Sequence, residues 1–117
     1  MKLASVAVPG LALAVRAVAL PVALGELPSP GWLQDLLRPT ADAPLAAGEP
    51  LRLAVRELLR GHGYRPTGRG KPSSEYLVGA AAGGRLGTIN AVVDVGNAVS
   101  LHSGLPISVV DLDRCRA

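Results

Sequence analysis

The stretch INAVVDVGNAVSLHSGLPISVVDLD, residues 89–113, admits two readings, and the choice between them sets the fold. Val92, Val93, Val95 and Val99 alone suggest a strand, because β-branched side chains suit extended backbone. Helical spacing orders more of the segment. It puts Ile89, Val92, Val93, Gly96 and Ser100 on one side and aligns Asn90, Asp94 and Asn97 at i, i+4 and i+7 on another. Residues 90–103 are therefore expected to form a helix stopped by Gly104, with 107–110 as a closing strand. The other helical positions are mostly apolar or small, so the helix is expected to be buried, and its amide and carboxylate stripe then requires partners. The stripe either binds a ligand or ties the helix to neighbouring backbone, and the second reading is preferred.

Upstream, Ser73 can cap a helix with Glu75 in its first turn and Tyr76, Leu77, Ala80 and Ala81 inward, stopped by Gly83-Gly84. Pro50 opens an earlier helix in which Leu51, Ala54, Val55, Leu58 and Leu59 share one face. Arg52, Arg56 and Arg60 recur every four residues and are expected as a ridge on the flank away from that face, with Gly61 and Gly63 ending the helix. The connection, Tyr64-Arg65-Pro66-Thr67-Gly68-Arg69-Gly70-Lys71-Pro72, carries three positive charges and four Gly or Pro residues, a backbone that can approach a ligand closely. It is the polyanion candidate of the chain.

Towards the N-terminus, Leu11 to Leu24 reads as one strand or two short ones, with Pro21 marking an edge or bend. Residues 27–31 form a turn, and Ser29 can cap a short helix that begins with Pro30, carries Trp32, Leu33, Leu36 and Leu37 inward and stops at Pro39. Lys2 followed by the Ala/Val/Leu-rich stretch to Leu24 superficially resembles a secretory signal. Arg16 and Pro9-Gly10 interrupt it, and no apolar run reaches the roughly 18–20 residues that span a bilayer, so a buried strand and no membrane partner are expected. The organisation is one domain over 1–117, or the first half of one: a strand region at 1–25, a short helix and loop at 26–49, and a helical segment with a closing strand at 50–117.

A chain of 117 residues with 49% hydrophobic and 18% charged residues can bury a core and is not disordered by composition. With one Trp, two Tyr and no Phe, that core is expected to consist of Val, Leu and Ala, with Trp32, Tyr64 and Tyr76 as its only large plates. The single cysteine, Cys115, excludes an internal disulfide and, with only His62 and His102 beside it, a Cys/His metal site; a reduced, cytoplasmic setting follows by default. The net charge of +3 is local: residues 1–50 sum to −1, 51–71 to +5 and 72–117 to −1. Such a cluster attracts phosphate, and it is also how a solvated helix face looks.

The run 89–97, continuing through Ser100-Leu101, Gly104-Leu105-Pro106 and Asp111-Leu112-Asp113, resembles the B three/four module of the bacterial phenylalanyl-tRNA synthetase beta subunit. Lys71-Pro72-Ser73-Ser74-Glu75-Tyr76-Leu77 is similar to the segment of free-standing proteins of that family. The resemblance implies an α+β fold with helices packed on a β-sandwich-like sheet. It also implies binding of tRNA or aminoacyl-tRNA, editing of mischarged tRNA, and no metal or other cofactor. Carried over, Asp94 and Asn97 match the family's Asp and Asn and stand with Ser108 as catalytic candidates. Asn90, Gly96 and Ser100 are the substrate-binding candidates, and Arg65, Arg69 and Lys71 the RNA-binding ones. Two positions depart from the editing synthetases: Gly96 stands where they have Thr, and Ser108 where they have His. The family module continues past the residue matched by Asp113, so the chain resembles its first half.

The expectation is a tRNA-binding module that hydrolyses mischarged aminoacyl-tRNA in trans, as a deacylase in which water attacks the ester and no covalent nucleophile is used. Synthetase activity itself is not expected. The alternative is a non-catalytic small-molecule or protein-binding relic of the fold, supported by Gly96 and Ser108. Ser100 and Ser108 have no identifiable base beside them, and His62 and His102 are assigned no catalytic role. A half module exposes strand edges and apolar surface, so self-association or a second chain completing the fold is a further expectation.

Overall fold

A helix whose apolar residues recur every three or four positions needs a surface to bury them against, and here that surface is other helices. The computed structural model describes residues 2–5 and 11–115. Its helices are α1 (Gly31–Leu36), α2 (Glu49–Gly61), α3 (Ser73–Ala82) and α4 (Ala91–Ser103). α4 is in contact with both α1 and α3. The small core combines Leu33 and Leu37 with Ala98 of α4, and Leu36, Leu86 and Ala91 pack around them.

Strands β1 (Lys2–Ser5) and β2 (Ala12–Val15) pair antiparallel, Lys2 opposite Val15 and Ser5 opposite Ala12. Among the described residues this hairpin is the whole of the sheet, and β2 is exposed along its length. The expected α+β architecture, helices packed on a β-sandwich-like sheet, is thereby corrected: the fold is mostly helical, and among the described residues there is no second sheet layer to make a sandwich. The strand read over 11–24 survives only as β2. From Arg16 to Ala23 the chain is irregular, and a single 3-10 turn follows at Leu24–Glu26. The interruption expected at Pro9-Gly10 lies outside the described residues.

The closing strand read at 107–110 is also absent. Ile107 and Val109 instead lie against Gly96 of α4, where an added Cβ would sit 3.7 Å and 3.2 Å from their methyl groups. A helix has already satisfied its backbone internally, so an extended segment laid across one finds no ladder to join.

The helix ends follow their local chemistry with two exceptions. Asn90 caps α4, its Oδ1 accepting from the Val93 amide at 3.0 Å. At the end of α2 the Gly63 amide donates to the Arg60 carbonyl at 3.0 Å and the Tyr64 amide to the Leu59 carbonyl at 3.0 Å, the paired bonds of a Schellman ending. Ser29 and Ser73, expected as caps, are not: Pro30 and Pro72 occupy those positions without side-chain bonds.

The aromatic residues are a further correction. Trp32 is 65%, Tyr64 63% and Tyr76 49% exposed, so none of the three is a core plate. Buried apolar side chains are Leu33, Leu37, Ala81, Ala98 and Leu101.

Gly104 ends α4 at φ +79°, and a Cβ there would meet Ala47 Cβ at 3.2 Å. Gly104→Ala is expected to lower stability by about 1–2 kcal/mol, read as a lower denaturant midpoint with an unchanged m-value.

Candidate nucleic-acid interface

Six cations lie between residues 52 and 71, and the structure divides them into two sets. Arg52, Arg56 and Arg60 on α2 are all engaged. Arg56 donates from Nε and Nη2 to the two carboxylate oxygens of Glu75, both at 2.8 Å, with the two side chains 16% exposed. Arg52 donates to Glu49 and reaches Glu75 at 3.5 Å, and Arg60 pairs with Glu57 at 2.6 Å. The ridge expected on a free flank is thus partly turned onto α3. The bond from Arg56, with Arg52 adding to it, holds the Glu75 carboxyl below the usual carboxylate range, and the bond from Arg52 does the same for Glu49.

Arg65, Arg69 and Lys71 make no ion pair among the described residues, and all three are exposed. Their loop is held from several sides. Pro66 and Pro72 are buried, while the residues between them are exposed. A single 3-10 turn at Gly68–Gly70 is closed by the Gly70 amide on the Thr67 carbonyl at 2.9 Å. The Tyr76 hydroxyl donates to the Gly68 carbonyl from the first turn of α3. A Cβ at position 70 would lie 2.0 Å from the Arg65 carbonyl oxygen, so only glycine allows the loop to close there. The result is an anchored loop with unpaired cations facing solvent.

The expected catalytic and substrate-binding residues have a different character. Asp94 is fully buried; its Oδ2 accepts from the hydroxyls of Ser29 and Thr88, and its Oδ1 accepts from the Ile89 amide at 2.9 Å. Burial would raise its pKa, but the bonds from Ser29, Thr88 and the Ile89 amide together outweigh burial and lower it. Asn90 is buried as the α4 cap, and Ser100 is buried with its hydroxyl donating to the Leu105 carbonyl at 2.7 Å. Gly96 lies under Val109. Asn97 is half-buried and Ser108 exposed, and neither makes a side-chain hydrogen bond to a described residue. No hydrogen bond joins Asp94, Asn97 and Ser108 to one another.

His102 is tied into the fold: its Nε2 lies 2.7 Å from the Leu36 carbonyl, which can only accept, so Nε2 carries the proton. A shallow, open cleft of about 340 Å³ lies between α1 and residues 86–88, with Gln34, Asp35 and Thr88 on its walls. Among the described residues no three His, Cys, Asp or Glu side chains converge as a metal site requires, and no helix is long and apolar enough to cross a membrane.

Sequence reasoning missed Ser29, Thr88 and Tyr76. Nothing local links Ser29 to a carboxylate 65 positions away, whereas Thr88, six residues before Asp94, could have been found as a donor just ahead of the helix. No family model, no curated protein and no solved structure matches the chain.

Asp94→Ala strands two hydroxyls and an amide and is expected to destabilise the fold by about 1–3 kcal/mol. The folded carboxyl is lowered from its ordinary value near 3.8, so its contribution is complete above that value and is lost as the pH falls through the folded pKa. The difference in unfolding free energy between wild type and variant should accordingly narrow in acid.

Proposed function

We propose that the chain is an RNA-binding module whose partner is tRNA, contacted at phosphates by Arg65, Arg69 and Lys71. The observation that carries this reading is the division of the cations: the neighbouring α2 arginines are consumed by carboxylates, while these three stand unpaired on a loop fixed by Tyr76 and Gly70. Cations carried on an anchored backbone bind phosphate without the cost of ordering the loop and release counterions as they do so. The resemblance of residues 71–77 and 89–113 to the B three/four module supports tRNA or aminoacyl-tRNA as the particular RNA, and a cytoplasmic location goes with that partner.

Binding without hydrolysis is the form of this proposal that the side chains favour. The Asp94 carboxylate is already occupied by three donors, Gly96 replaces the family Thr, and Ser108 replaces the family His. A panel of correctly and incorrectly charged tRNAs is expected to lose its amino acids at the background rate. Hydrolysis that is abolished at Asn97 would restore the trans-deacylase reading.

A second reading, a small-molecule module, would have to use the shallow, open cleft beside α1, lined by Gln34, Asp35 and Thr88. The two are separated by the Arg65→Ala, Arg69→Ala, Lys71→Ala variant. On the RNA reading its plot of log affinity for uncharged tRNA against log salt flattens by about two units or more, three phosphate contacts at roughly 0.7–0.9 each. An unchanged slope would remove the loop from RNA recognition.

A further inference from the structure

Tyr64 has no part in the ion pairs or in the loop's anchoring, yet it immediately precedes the cations. We propose that its ring is a stacking platform for an unpaired base, so that residues 64–71 select single-stranded over double-stranded nucleic acid. The proposal rests on the phosphate-binding reading of the loop and adds the feature that discriminates among polyanions.

Three observations carry it. The ring is 63% exposed in a chain that has only three aromatic residues, and no side-chain hydrogen bond to a described residue accounts for its placement. Its backbone is fixed, because the Tyr64 amide donates to the Leu59 carbonyl at 3.0 Å and closes the end of α2, so the ring is displayed from a rigid point. The next residue is Arg65, whose carbonyl packs on Gly70 beside Lys71, which joins the aromatic and the cations in one compact turn. The neighbouring aromatic of α3, Tyr76, spends its hydroxyl on the Gly68 carbonyl and acts as an anchor.

A flexible nucleotide strand presents phosphates and base faces together, and an exposed aromatic beside cations on an anchored loop is complementary to that combination. In a duplex the base faces are enclosed in the stack, and only the phosphates remain available. Stacking releases no counterions, so its effect on affinity is separable from the phosphate contacts by salt.

The test is fluorescence anisotropy of the full chain against a short labelled single-stranded RNA and the duplex of the same sequence, at several salt concentrations. Wild type is expected to bind the single strand more tightly. Tyr64→Ala and Tyr64→Leu should each weaken single-strand binding about fivefold or more, leave duplex binding nearly unchanged and leave both salt slopes unaltered, whereas Tyr64→Phe should retain wild-type behaviour. Salt-dependent wild-type binding that both Tyr64→Ala and Tyr64→Leu preserve, or lose equally on both substrates, overturns the stacking role and leaves the phosphate reading standing. Wild-type protein with no salt-dependent binding to either RNA overturns both.

Discussion

The carboxylate of Asp94 is where three separate pieces of chain are joined: the turn before α1 through Ser29, the segment before α4 through Thr88 and Ile89, and α4 itself. An ionised carboxylate at full burial is tolerable only when its oxygens are supplied with donors, and here every donor comes from a different backbone position that must be held in place. Neighbouring bonds reinforce the same seam. The Ala91 amide donates to the Leu27 carbonyl at 2.9 Å, the Gln34 side chain donates to the Ser29 carbonyl at 2.9 Å, and His102 meets Leu36 at the far end of α4. With so few buried Leu and Ala side chains among the described residues, the packing of α1 on α4 depends on this polar seam for its register.

A second division of labour runs through the charges. The Arg56 and Glu75 pair joins α2 to α3, and the basic loop is the connection between those two helices, so the paired cations build the frame from which the unpaired ones project. An exposed pair adds little to stability, but a bidentate pair with both partners mostly covered fixes geometry as well as charge. The local excess of positive charge seen along the chain is therefore smaller at the surface than its count suggests, and it is concentrated on one turn.

What could be read in advance was what depends on near neighbours. α2 was legible because Pro50, a repeating apolar face and Gly63 all agree, and α4 because Asn90 and Gly104 bracket a helical period that outweighs its valines. The strand readings, of which only β2 survives, failed elsewhere for the opposite reason. Leu11–Leu24 and Ile107–Val110 have strand-like composition, but a strand exists only with a partner, and whether one lies alongside is a long-range fact. The inward placement of Trp32, Tyr64 and Tyr76 failed because ring size argues for burial only where the core has room, and the core between α1 and α4 is closed by Leu33, Leu37 and Ala98. The structural reading of Asn90, Asp94 and Asn97 agrees with the hydrogen bonds of the first two, while the Asn97 side chain bonds no described residue; the partner Ser29 is not the helix cap that Pro30, a residue suited to a helix start, suggests.

The passage of Val109 over Gly96 links two positions that are thirteen residues apart. The Cβ that any other residue would bring to position 96 already lies 3.2 Å from a Val109 methyl, so a branched side chain there requires residues 107–109 to shift. Gly96 is thus one half of a packing pair with the returning segment. Substitutions at the two positions should be strongly non-additive, a bulky residue at 96 being accommodated only when position 109 is made small.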